Sequence, residues 1–153
     1  LGDARRVQFT ALDDIGHWPN GGTPHLRQDG VTLISASHTV DLANHLYGPL
    51  ETKRVMLAPD IVLLQLTGAN VYVSILVSWA TPLCASVAVG ELEDGRLFEM
   101  DFLAEEWNLA PDMRRNCTVA FMGWAEGKTD SGLLCTGQQA LETMRILDEC
   151  RAS

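Results

Sequence analysis

Four histidines, His17, His25, His38 and His45, and four cysteines, Cys84, Cys117, Cys135 and Cys150, are the side chains best suited to proton transfer, metal binding or nucleophilic attack. Two of the histidines fall in one amphipathic segment. At about 100° per residue, Ile34, His38, Asp41 and His45 share one side of a helix, and Leu33, Ala36, Val40, Ala43 and Tyr47 share another. The second side faces a core, and the first stacks two imidazoles with a carboxylate. There His38 can act as an acid, a base or a donor to a substrate oxygen, with Asp41 fixing its tautomer or binding a polar ligand. The same spacing also describes a solvated face on which Asp41 and His45 form an ordinary i, i+4 pair.

Other chemistries find less support. A metal site on His38, Asp41 and His45 needs a further ligand, which His17 or His25 in the adjoining loop would have to supply, and the chain has no H-E-x-x-H signature. No cysteine pair has C-x-x-C spacing. Cys117 and Cys150 fall on or beside apolar helix stripes and Cys84 begins a strand, so each reads as a small apolar filler. Cys135 precedes the last helix, where free amides would lower a thiol pKa, but no base is placed beside it. Trp18, Trp79, Trp107 and Trp124 are candidates to line a sugar pocket, although Trp79 and Trp124 fit core positions. Neither G-x-G-x-x-G after a strand nor G-x-x-x-x-G-K-[ST] occurs, so no nucleotide-phosphate loop is visible.

The elements that must position these residues are legible from period and punctuation. Arg6 to Ala11 reads as a strand, followed by a loop through Asp13 to Asn20 and Gly21-Gly22-Thr23-Pro24. A helix is predicted over 31–47, ended by Gly48 and Pro49. Lys53 to Leu57, Ile61 to Thr67, Val71 to Ala80, Leu83 to Val89 and Arg96 to Phe102 read as strands. Gly68-Ala69-Asn70 and Glu93-Asp94-Gly95 suit hairpin turns, so most pairing should be antiparallel. Met113, Cys117, Ala120, Phe121 and Trp124 mark a second helix that stops at Gly127. Thr136 and Gln139 form a capping box for a third, with Ala140, Leu141, Met144 and Leu147 as its expected apolar stripe.

With 153 residues, 46% of them hydrophobic, the chain can enclose one core. The expectation is a single α+β domain over 1–153, an open and mostly antiparallel sheet with helices on one face. A net charge of −9 repels phosphate backbones and anionic lipid, which argues against nucleic acid and membrane as partners. The longest apolar run, Val71 to Ala80, is interrupted by Ser74 and Ser78 and falls well short of the roughly 20 residues that span a bilayer. A cytoplasmic, reducing setting is expected from the scattered cysteines. Leu1 in place of Met suggests that residues upstream have been removed.

This order of elements resembles the C-terminal domain of the glucose-fructose oxidoreductase and inositol dehydrogenase family. Asp29-Gly30-Val31-Thr32-Leu33, His38-Thr39-Val40-Asp41-Leu42 and Leu46-Tyr47-Gly48 are similar to that family's G-G-x-L-x-D-x-G-x-H-x-x-D-L helix and its closing Leu-Gly turn. Val73 to Phe102, with Ser78-Trp79, Gly90 and Gly95-Arg96-Leu97, resembles its strands and G-x-x-G-x-L hairpin, and Gly127, Thr136-Gly137 and 140–153 its closing segment. The resemblance implies an NAD- or NADP-dependent oxidoreductase acting on a sugar, polyol or related small molecule. It also implies a homo-oligomer formed through the sheet, whose face bearing Tyr72, Ser74, Leu76 and Ser78 has no assigned cover. His38 would be the histidine on the substrate hydroxyl, with Asp41, His45 and Trp18 as further substrate-binding candidates. Two departures stand out. The family's usual Asp four residues before the histidine is Ile34, and the Rossmann half with its Glu-Lys-Pro lysine has no counterpart. The cofactor would therefore be held mainly by a separate domain or subunit, and the alternative is a non-catalytic dimerisation or small-ligand module.

Overall fold

The structure, a computed structural model, describes residues 3–15, 30, 35–103, 121–123, 125–127 and 136–152. In chain order its elements are β1 (Ala4–Asp14), α1 (Ser37–Tyr47), β2 (Glu51–Ala58), β3 (Ile61–Thr67), β4 (Tyr72–Ser78), β5 (Ala80–Leu92), β6 (Leu97–Asp101) and α2 (Gly137–Arg151). The strands form one sheet in the order β2-β3-β4-β1-β5-β6. Every pairing is antiparallel except that of β1 with β4, so the expected α+β class with a mostly antiparallel sheet is the one present.

Local chemistry explains most boundaries. In β3 and β4 alternate residues are buried, the pattern of a sheet with one covered face. The first predicted turn closes with Gly68 N–H donating to the Val71 carbonyl at 2.9 Å. In the second, Gly95 adopts φ 84°, which a side chain would strain, and the Asp94 carboxylate accepts from both the backbone and the guanidinium of Arg96. Helix α1 ends at Gly48, φ 77°, whose N–H donates to the Asn44 carbonyl. At the start of α2, Thr136 accepts from Gln139 N–H at 3.2 Å while the Gln139 side chain accepts from Thr136 N–H at 2.8 Å, which is the expected capping box.

The expectations for strand bounds and for the buried face of α2 need correction. Helix α1 is described from Ser37, after a wider turn at residues 35–36, and residues 31–34, the start of the predicted helix, lie outside the described residues. Strand bounds differ by a few residues, with β1 extending to Asp14 and β5 running from Ala80 to Leu92. In α2 the buried stripe is Thr143, Ile146, Leu147 and Cys150, whereas Leu141 and Met144 are exposed. The helix is turned so that Thr143 meets polar partners on α1, a reason invisible to an apolar count. Of the predicted helix over 113–127, residues 121–123 and 125 are helical and the rest lies outside the described residues.

The core sits between one sheet face and the two helices. Val7, Phe9, Leu64, Leu66, Val73, Ile75 and Val77 from the sheet are closed over by Val40 and Ala43 of α1 and by Ile146 and Leu147 of α2. Arg145 clamps α2 to the chain entering β2, donating to the Leu50 carbonyl at 2.6 Å while paired with Glu142 and Glu149. No described helix packs on the opposite face. There the register aligns Arg54, Gln65, Ser74, Gln8, Val89 and Glu99 in one row across all six strands.

Candidate functional site

Helix α1 carries three of the four predicted site residues. Val40 and Ala43 bury its core side completely, so His38 and His45 emerge exposed on its outer side. Asp41 is half-buried at the seam with α2. Its Oδ1 accepts from the Thr143 hydroxyl at 3.2 Å, and the same Thr143 oxygen accepts from Asn44 Nδ2 at 3.3 Å. Asp41 thus spends one oxygen on the helix–helix seam, and the two histidines do not share that bond. Trp18, with His17 and His25, lies outside the described residues.

Sequence reasoning missed Asn44 and Thr143, which lock the histidine helix onto the last one. Their only signal was a polar residue inside each apolar stripe. Trp79 is placed as a core residue, as anticipated, and has a second role. Its Nε1 donates to Ser35 Oγ at 2.8 Å, and its backbone N–H donates to the Asp60 carbonyl at 2.8 Å. It therefore ties the entry of α1 to the end of β4 and the β2–β3 turn. Two hollows flank it, one of about 150 Å³ bordered by Asp13, Ser35 and Cys84, the other of about 400 Å³ bordered by Ile15, Gly30 and Asp60. A larger hollow, about 660 Å³, lies over β1, β5 and β6 and includes Arg6, Gln8, Glu91 and Glu99, open-face residues remote from α1.

Metal and thiol chemistry gain nothing from this arrangement. Among the described residues no three His, Cys, Asp or Glu side chains come together to hold a metal ion. Cys117 and Cys135 lie outside the described residues; Cys84 is exposed, and Cys150 is fully buried in the core. Burial, helped by the nearby Glu149, pushes the Cys150 thiol from its usual 9 up to about 11. The folded chain then holds that proton more tightly than the unfolded one. Stability from the neutral thiol is present in full below about pH 9 and is lost as pH rises towards 11. Unfolding curves taken from pH 8 to 11 should therefore decline less steeply for Cys150→Ala than for the parent; parallel curves would show that Cys150 does not titrate in this window.

Nor do the described residues form a dinucleotide cradle. At the N-terminus of α2 the amides of Thr136 and Gln139 are engaged by the capping box.

The described residues thus form an open, mostly antiparallel sheet with two helices on one side, one of them bearing His38 and His45. No protein-family model and no curated protein matches the sequence. Solved structures do match. A dehydrogenase, MviM, from Clostridium difficile aligns with 98% of this chain at TM-score 0.71 and 13% identity, over 55% of its own length. The WlbA (WbpB) dehydrogenase from Thermus thermophilus, in complex with NAD and alpha-ketoglutarate, aligns with 97% at TM-score 0.66 and 16% identity, over 47% of its length. An oxidoreductase from Agrobacterium radiobacter in complex with NAD+, L-tartaric acid and magnesium aligns with 98% at TM-score 0.64 and 17% identity, over 55%. The chain thus has the fold of part of these enzymes and spans about half their length. The neighbours are oxidoreductases of the glucose-fructose oxidoreductase and inositol dehydrogenase type, so the fold implied by the resemblance is the fold present.

Proposed function

We propose that this chain is the substrate-binding and oligomerisation part of an NAD(P)-dependent oxidoreductase acting on a sugar, a polyol or a related hydroxy compound. The observation that carries the proposal is the match of nearly the whole chain to about half of NAD-bound oxidoreductases. A separate domain or subunit holds the cofactor, which when bound supplies the hydride acceptor or donor. His38, exposed on α1, hydrogen-bonds the reacting oxygen of the substrate and holds or takes up its proton, since either ring nitrogen can serve as donor or acceptor. Asp41 positions that helix through the bond it accepts from Thr143 and is a proposed substrate contact, with His45 and Trp18 as further ones. The open sheet face pairs with a second copy. The proposed setting is the cytoplasm, where thiols such as Cys84 stay reduced.

The test supplies the chain with a cofactor domain, in cis or in trans, and follows NAD(P)H absorbance over a panel of sugars, polyols and hydroxy acids. His38→Ala should lower kcat/KM about 100-fold or more, as loss of a positioned proton-transfer group does. Equal turnover would remove His38 from the site. One observation favours the non-catalytic alternative, namely that Asp41 already gives an oxygen to the fold. Ligand binding without turnover, whichever cofactor domain is supplied, would establish that reading.

A further inference from the structure

The hollow of about 660 Å³ over β1, β5 and β6 has no part in the site on α1, and its size falls within the range of small-molecule sites, about 300–1,000 Å³. The strand register orders its charged lining. Arg6 on β1 lies opposite Glu91 on β5, and Glu99 on β6 lies opposite Val89, the next residue of β5 on the same face. Opposite positions hold their Cβ atoms about 5 Å apart, and diagonal ones such as Glu91 and Glu99 about 7–8 Å. Tyr72 flanks Arg6 from β4, while Val89 and Leu97, 37% and 82% exposed, give apolar ground beside the two carboxylates. Arg6 and Glu91 face each other across the ladder, yet none of Arg6, Glu91 and Glu99 has a side-chain hydrogen bond or ion pair among the described residues.

We propose that this hollow binds a basic amino acid such as lysine or ornithine, with its carboxylate on Arg6, its α-ammonium at Glu91 and its side-chain ammonium at Glu99. One guanidinium and two carboxylates call for a ligand with one negative and two positive charges. The planar fork of Arg6 matches a carboxylate through two parallel hydrogen bonds. Glu91 stands directly beside Arg6, as the α-ammonium stands beside the carboxylate of an amino acid. Glu99 lies one strand further out, so β1 and β6 are two inter-strand spacings apart, about 10 Å. The long side chains of Arg6 and Glu99 can close that gap onto a ligand of this length, whose methylenes then run over Val89. A net charge of −9 on the chain also draws cationic ligands towards it.

Other small ions fit less well. A diamine sets a cation against Arg6, a dicarboxylate meets Glu91 and Glu99, and a neutral amino acid leaves Glu99 without a partner, each an unfavourable juxtaposition or a lost contact. The proposal needs only this chain's own residues and does not rest on the activity or the assembly proposed above. A second copy whose side chains filled the hollow would exclude the ligand, and a titration reads that directly.

The test is isothermal titration calorimetry on the full chain with L-lysine, with L-norleucine, which lacks the side-chain amine, and with cadaverine, which lacks the carboxylate. Lysine should bind, and each of the other two should bind about tenfold more weakly or worse, the loss expected for one charged hydrogen-bonded contact. Glu99→Gln should weaken lysine by a similar factor and leave norleucine unchanged, whereas Arg6→Gln should weaken both and spare cadaverine. All the substituted side chains lie on the open face, and circular dichroism establishes that each variant is folded. Absence of binding by lysine at millimolar concentration overturns the proposal. So does equal binding of lysine and cadaverine, which marks a general attraction of cations to an acidic chain, or lysine binding that survives both substitutions, which places it elsewhere.

Discussion

Gly90→Val lowers the stability of this protein by about 3 kcal/mol or more, the upper range for forcing volume into a packed site. Gly90 lies within β5, paired with Val7 on one side and Phe98 on the other. Even a single added carbon there would sit inside contact distance of the Arg6 carbonyl oxygen and 2.7 Å from two ring carbons of Phe98. That oxygen belongs to the β1–β5 ladder and cannot retreat without loss of hydrogen bonds, while the Phe98 ring is packed against the core. The requirement here is space, filled by an aromatic ring. Urea unfolding of Gly90→Ala, Gly90→Val and Gly90→Val with Phe98→Ala measures it. The double variant should recover part of the loss, because only the backbone clash remains. If Gly90→Ala unfolds at the parent midpoint, β5 and β1 part more easily than their register indicates.

Phe9→Ala costs about 3–5 kcal/mol, the range for truncating a buried aromatic residue. Phe9 is 2% exposed at the middle of β1, with Ile75 beside it on β4 and Ala88 beside it on β5. The small Ala88 leaves the room that the ring fills, so removing the ring opens a cavity across three strands. Against a total stability of about 5–15 kcal/mol, the melting temperature should fall by about 10 °C. Calorimetry checks this, with Ala88→Leu in the Phe9→Ala background as a control that refills the space and restores part of the loss. A fall of only a degree or two would mean that the sheet collapses around the vacancy.

Both residues show where sequence reasoning stopped. Gly90 reads as a glycine in a strand, a mark of close backbone approach, but nothing in the sequence says that Phe98 is the neighbour. Phe9 reads as the apolar centre of a first strand. That this strand enters between β4 and β5, parallel to β4, is a pairing between residues more than 60 positions apart, which local period cannot encode. In the candidate site the same division holds. The helical stripe placed Val40 and Ala43 inside and His38 outside, as found. The role of Asp41 was open between ligand, tautomer control and surface pair, and the bond from Thr143, 102 residues away, joins it to the last helix.

What the sequence determined by itself is therefore local: the hairpin turns at Gly68 and Gly95, the helix stop at Gly48, the Thr136 cap, and the alternation that gives β3 and β4 a covered and an open face. Each depends on residues a few positions apart, whose backbone preferences and side-chain reach act within a single turn or strand. Tertiary structure alone decided the strand order, the rotation of α2 that buries Thr143 rather than Leu141, and the row that carries Arg54 and Glu99 to opposite edges of one face. These follow from which distant surfaces bury each other best, a choice set by shape and by the satisfaction of buried polar groups across the whole core.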